Sequence, residues 1–176
     1  MTRYQLAKLI LMAGGLDSRK RVQKTVHLLQ AAGCPLEVEF RLHYYGPYSR
    51  QLAELLDRMS ANEIIFERPE STQLGVQFNY RLNEQMRTSL ESYELTADGQ
   101  AAKDRIERYG ELLKTLCDTR ARVLELASTI VAFRETGAAW ENALDEAAAF
   151  KSERTGTPLM TEACELAQKV VDYEDD

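Results

Sequence analysis

The sequence predicts a mainly α protein with a small antiparallel β component (α+β), built as a winged helix-turn-helix-like domain carrying a C-terminal helical extension. Three observations lead there. Two amphipathic helical patterns precede an extended segment and a third helix, two alternating runs behind that helix read as a β-hairpin, and nearly everything past residue 100 has helical periodicity. Helix, helix, extended segment, helix, hairpin is the order of a winged helix-turn-helix, in which the third helix reads a groove and the hairpin is the wing. The expected division is residues 1–99 for this domain and residues 100–176 for the extension, packed together as one unit.

Each element has its own signal. Leu6, Leu9, Ile10 and Ala13 recur at helical spacing, and Gly14-Gly15 ends that first helix. Asp17 or Ser18 caps a second helix, with Val22, Val26 and Leu29 on its apolar side and Gly33 as its stop. Cys34-Pro35 then breaks the chain. Phe40 to Tyr45 alternates, and Gly46-Pro47 punctuates it before a third helix in which Leu52, Leu55, Leu56 and Met59 form one stripe. Pro47 suits a first helical turn, and Ser49 is an alternative cap.

EIIFER (63–68) and VQFNYRL (76–82) read as hairpin strands joined by PESTQLG, and residues 83–92 as a short helical or irregular insertion. YELTADG (93–99) reads as a short strand turning over at Thr96, whose hydroxyl caps the next helix. From Gln100 a helix runs to Cys117 and restarts at Asp118 or Thr119; both pieces are expected to pack within the chain rather than form a coiled-coil arm. A further helix anchored by Trp140, Leu144 and Phe150, and a last one capped by Thr161, complete the reading.

Composition bounds the function. Apolar content of 44% and charged content of 28% are ordinary for a globular protein, and no apolar run is long enough to span a bilayer. A cytoplasmic location away from any membrane is expected. Three dispersed cysteines, Cys34, Cys117 and Cys164, with neither CxxC spacing nor a nearby histidine, predict reduced thiols and no metal. The net charge of -6 conceals a basic first third, where residues 1–60 hold nine Lys/Arg against five Asp/Glu. Strong non-specific nucleic-acid binding is therefore not expected, while a local basic contact is.

Four stretches carry a family resemblance: RVQKTVHLLQ (21–30), FRLHYYGPYSRQLAELLDRM (40–59), YELTADG (93–99) and LELASTIVAFRETG (124–137). Together they resemble the YwgA-type uncharacterised bacterial proteins, which are distantly similar to the Panacea or SocA-like antitoxin domain. The resemblance covers most of the chain, and Tyr45 to Ser49 is its most specific part. It implies a mostly helical winged-helix-like domain with regulatory, antitoxin-like or phage-defence roles, and no established chemistry.

No phosphate loop, HExxH or GxSxG is present, and His27 and His43 have no catalytic partner nearby in sequence, so no enzyme and no cofactor are expected. His27 reads as a packing or surface residue. Arg41, His43 and Tyr45 form a polar stripe. Arg19, Lys20, Arg21 and Lys24 form an outward cluster suited to phosphates, even though cations oppose the dipole at a helix start. Ser49, Arg50, Gln51 and Arg58 are the candidate groove contacts on the third helix, where Arg and Gln match base edges.

Tyr44, Tyr45 and Tyr48 offer two readings. Either they are a protein-contact patch, with Tyr45 and Tyr48 as its candidates, or Tyr44 and Tyr48 pack beneath the turn and hold the third helix; the second is the stronger expectation. A DNA-binding transcriptional regulator is thus the leading expectation, and a protein-binding module the alternative. The helices between Gly99 and Thr136 are the expected homodimer seam.

Overall fold

The computed structural model describes residues 1–72 and 75–173, and no helix among them is long and apolar enough to cross a membrane. Helix α1 (Arg3–Met12) begins with a reciprocal capping box between Thr2 and Gln5. Gly14 and Gly15, both at positive φ, turn the chain into a two-residue strand β1 (Leu16–Asp17) that the sequence reading missed. Ser18 then caps α2 (Arg19–Ala31), accepting from the Arg21 amide.

Where one extended segment was expected to run into the third helix, the structure has a hairpin. Strand β2 (Arg41–His43) pairs antiparallel with β3 (Gly46–Tyr48), so Tyr44-Tyr45 is the turn and Gly46-Pro47 belongs to the returning strand. Leu42 lies opposite Pro47, whose carbonyl accepts from Lys24. Ser49, not Pro47, caps α3 (Arg50–Ala61) through the Leu52 amide.

Strand β4 (Ile65–Thr72) pairs with β5 (Gly75–Leu82), and β5 pairs with β1, giving the sheet order β1-β5-β4. β4 extends through Pro69 and Glu70, where a turn was expected; Pro69 is acceptable there because β4 is an edge strand. Residues 73 and 74 of the expected wing tip lie outside the described residues.

Helix α4 (Glu84–Glu94) absorbs the Tyr93-Glu94 segment that was expected as a strand. Thr96 does cap the following helix, α5 (Ala97–Glu107). Then come α6 (Gly110–Asp118), α7 (Ala121–Glu135), α8 (Trp140–Phe150) and α9 (Pro158–Val171), the last capped by Thr157 with Pro158 at its first position instead of by Thr161.

Helix α7 is the centre of the molecule. Every residue from Val123 to Val131 is buried, and it packs against α2, α8, α9 and β3. Of the helices between Gly99 and Thr136, expected as a homodimer seam, α7 has most of its surface covered within the chain. The partner face of α8 is alanine (Ala143, Ala147, Ala148), which lets the backbones approach, while Phe150, expected as an anchor, is exposed. A single apolar cluster joins Leu6, Val26, Leu56 and Tyr80 to Leu126 and Val170, so the C-terminal helices share the core of the first hundred residues.

The α4–α5 corner supplies a sharp test. Gly99 is buried in the first turn of α5, and a Cβ there would collide with the Tyr93 carbonyl. Gly99→Ala is therefore expected to lose on the order of 2–4 kcal/mol, although alanine is the better helix former. Urea unfolding of the variant beside the parent measures it.

Candidate interaction site

The β2–β3 hairpin is tied to the body through its own backbone. The Gln23 amide makes a reciprocal pair with Ser49, donating to its carbonyl at 2.8 Å and accepting from its N–H at 2.8 Å. Lys24 Nζ donates to the Pro47 carbonyl at 2.5 Å, and Lys151 Nζ, from the residue that ends α8, donates to the Tyr44 carbonyl at 3.2 Å. All three anchoring side chains are buried or nearly so. Gly46 sits at φ +86°, and a Cβ there would come to 2.8 Å from Thr129 Oγ1 and 3.4 Å from Lys24 Nζ, so no other residue fits.

Because the backbone does the holding, the side chains are left outside. Tyr44 is 78% exposed, Tyr45 55%, Leu42 44% and Tyr48 42%. The expectation that Tyr44 and Tyr48 pack beneath the turn is overturned: that space is filled by Lys24, Lys151 and Thr129. The rings order one another instead. Tyr44 meets Tyr45 edge-on at 5.1 Å, and His43 lies 6.4 Å from Tyr45 and 5.8 Å from Tyr48. Beside them a groove of about 500 Å³ is lined by Arg41, Leu42, His43, Tyr48 and Arg50.

The basic cluster of α2 is distributed differently from its sequence reading. Lys24 is 2% exposed, and Arg21 is nearly buried, its guanidinium donating to the carbonyls of Leu116, Cys117 and Thr119 at the end of α6. These two do not face outward as expected. Arg21 instead satisfies orphan carbonyls at a helix C-terminus, which explains a cation placed unfavourably for its own helix. Arg19 is ion-paired to Asp57 at 2.6 Å and donates to the Tyr80 hydroxyl, joining α2 to α3 and β5. Lys20 is half-exposed, beside Glu125 at 3.5 Å.

On α3, Arg50, Gln51 and Arg58 are exposed as expected, and Arg50 pairs with Glu54 at 2.8 Å. Ser49 is buried as the helix cap and offers nothing to a ligand.

Sequence reasoning missed Glu125 and Lys151. Glu125 is buried on α7, where Lys151 approaches one carboxylate oxygen at 2.6 Å and Lys20 and Arg122 the other at 3.5 and 3.4 Å. Burial alone would raise its pKa, but the hydrogen bond and charge of Lys151, then Lys20 and Arg122, hold it below the ordinary carboxylate value. Lys24 is lowered to about 7, first by burial, then by repulsion from Lys151 and Lys20 against attraction from Glu125. A charge in the middle of an apolar helical pattern, as Glu125 is, was the available signal.

His27 also proves structural. Its Nδ1 lies 3.1 Å from Ser128 Oγ and its Nε2 3.2 Å from Glu135, while its ring meets Phe40 edge-on at 4.9 Å. Serine, histidine and carboxylate stand in a row, but Ser128 is fully buried, so the row ties α2 to α7 rather than facing a substrate.

The chain is similar to the Uncharacterized protein YwgA of Bacillus subtilis (strain 168). The two are 28% identical over 133 residues, which is 73% of this chain and 72% of that protein. No protein-family model matches the chain.

Lys24 has a measurable signature. Between about pH 7 and its ordinary 10.5 the unfolded chain keeps a proton on Lys24 that the folded chain has released. Stability from this group therefore rises with pH across that window and is flat below it. Urea unfolding at pH 7, 8.5 and 9.5 is expected to show this rise in the parent and a smaller one in Lys24→Met.

Proposed function

We propose that the chain is a non-enzymatic binding module that docks a protein partner on the β2–β3 hairpin. The observation carrying this reading is the rigid display of Tyr44, Tyr45, Tyr48 and Leu42, four large side chains left in solvent on a backbone clamped by Gln23, Lys24 and Lys151. Tyrosine offers wide amphipathic area at little entropic cost, and a pre-ordered patch loses less freedom on binding than a loose one. In this reading the protein works in the cytoplasm. Antitoxin-like neutralisation or a phage-defence role is one form the partnership takes, and rests on the resemblance carried by Tyr45 to Ser49 and its flanking segments.

A DNA-binding regulator is the second reading. It is favoured by the order α1, β1, α2, β2, β3, α3, β4, β5 with the sheet order β1-β5-β4, which resembles a winged helix-turn-helix with the β2–β3 hairpin inserted before its third helix. Its charges argue for the first reading instead: Arg50 is matched by Glu54, Arg19 by Asp57 and Arg41 by Glu39, so the α3 face offers a duplex little surplus positive charge.

Affinity capture from the native cell separates the two. A protein retained by the parent is expected to be retained at least ~10-fold less by the Tyr44→Ala, Tyr45→Ala, Tyr48→Ala triple variant. Genomic DNA fragments are expected not to shift at low salt. A salt-steep shift lost in Arg50→Ala, Gln51→Ala would move the assignment to DNA.

A further inference from the structure

The charge beneath Tyr45 does not balance. Lys20, Lys24, Arg122 and Lys151 meet there, against Glu125 and Glu153, the latter 2.6 Å from Arg122. Lys24 has no ion pair among the described residues and spends its one observed hydrogen bond on the Pro47 carbonyl. Lys20, Arg122 and Lys151, joined by Lys24 when it is protonated, outnumber the two carboxylates and leave a local surplus of positive charge in a chain whose net charge is -6.

The cluster is closed on one side and open on the other. Lys24 and Lys151 are buried, whereas the side chains of Lys20 and Arg122 are 47% and 41% exposed. These two converge on the same Glu125 oxygen, and the Tyr45 ring stands 5.0 Å from Lys20 Nζ as a wall. A carboxylate arriving there meets two exposed cations in front, with the buried Lys151 and Lys24 behind. It also meets the Tyr45 ring, whose apolar surface suits the stem of an acidic side chain.

We propose that the exposed pair Lys20 and Arg122, beside Tyr45, receives an acidic side chain of the partner, so that the hairpin binds an Asp- or Glu-bearing protein segment. The inference rests on the hairpin reading and adds the chemistry of what it binds. Duplex DNA fits less well, because the surplus is a point rather than a stripe, and Glu39, Glu54 and Asp57 lie along the neighbouring face.

Seating a carboxylate there favours the charged form of Lys24, which Lys151 and Lys20 repel and Glu125 attracts, while Arg122 pairs with that Glu125 and with Glu153. Binding near pH 7 therefore takes up protons, and affinity falls as pH rises above 7.

The probe is an end-capped hexaglutamate peptide, titrated calorimetrically into the full chain at low salt in two buffers of different ionisation heat. Binding is expected, weakening with salt and accompanied by proton uptake. Lys20→Gln with Arg122→Gln is expected to reduce affinity at least ~10-fold, and Arg41→Gln with Arg50→Gln less than ~2-fold. Lys20→Gln alone, which leaves Glu125 with Lys151 and Arg122, serves should the double variant fail to fold.

Absence of binding at low salt, or an equal loss in the Arg41 and Arg50 variant, overturns the proposal. So does a DNA duplex that binds through Lys20 and Arg122 where hexaglutamate does not. Tyrosine-dependent capture without peptide binding ends this inference alone; peptide binding without tyrosine-dependent capture supports the acid site and ends the hairpin reading.

Discussion

The structure depends on a set of side chains that grip backbone. Gln23, Lys24 and Lys151 hold the hairpin by the carbonyls and amide of Tyr44, Pro47 and Ser49, and the same few residues connect α2, α7, α8 and the start of α3. Burying two lysine amines is expensive, and it is tolerable here because Glu125 neutralises Lys151, Lys24 gives up its proton above about pH 7, and peptide carbonyls receive donors from both. An apolar plug of tyrosines under the turn would have been the simpler solution, and it would have left no aromatic surface.

That choice explains what was legible in the sequence and what was not. The helices with a clean apolar stripe were readable: Leu52, Leu55, Leu56 and Met59 are all buried, and the exposed face of α3 is the one that alternation with charge predicts. Caps at Ser18 and Thr96 were readable for the same local reason. The resemblance to YwgA-type proteins, read on four stretches, is matched by a similarity extending over 133 residues.

What failed was non-local. Strand β1 is two residues long and exists only because β5 offers an edge to Leu16 and Asp17. A second hairpin was hidden because Gly46-Pro47 carries helix-start signals as strong as its strand ones. The four cations of α2 looked alike in sequence, yet each meets a different element: Asp57 on α3, Glu125 on α7, the end of α6, and the Pro47 carbonyl. Which residues a charge will meet is a property of the fold, so periodicity could place Lys24 on a helix but not bury it.

Peptide carbonyls are the same whatever side chain they belong to. A loop fastened by them, with only Gly46 constrained by its φ and by Thr129, keeps its shape when positions 42, 44, 45 and 48 are rewritten. The hairpin is therefore a built-in grafting site: its recognition chemistry is separable from its folding, and new sequences inserted there inherit a ready-made, stiff presentation.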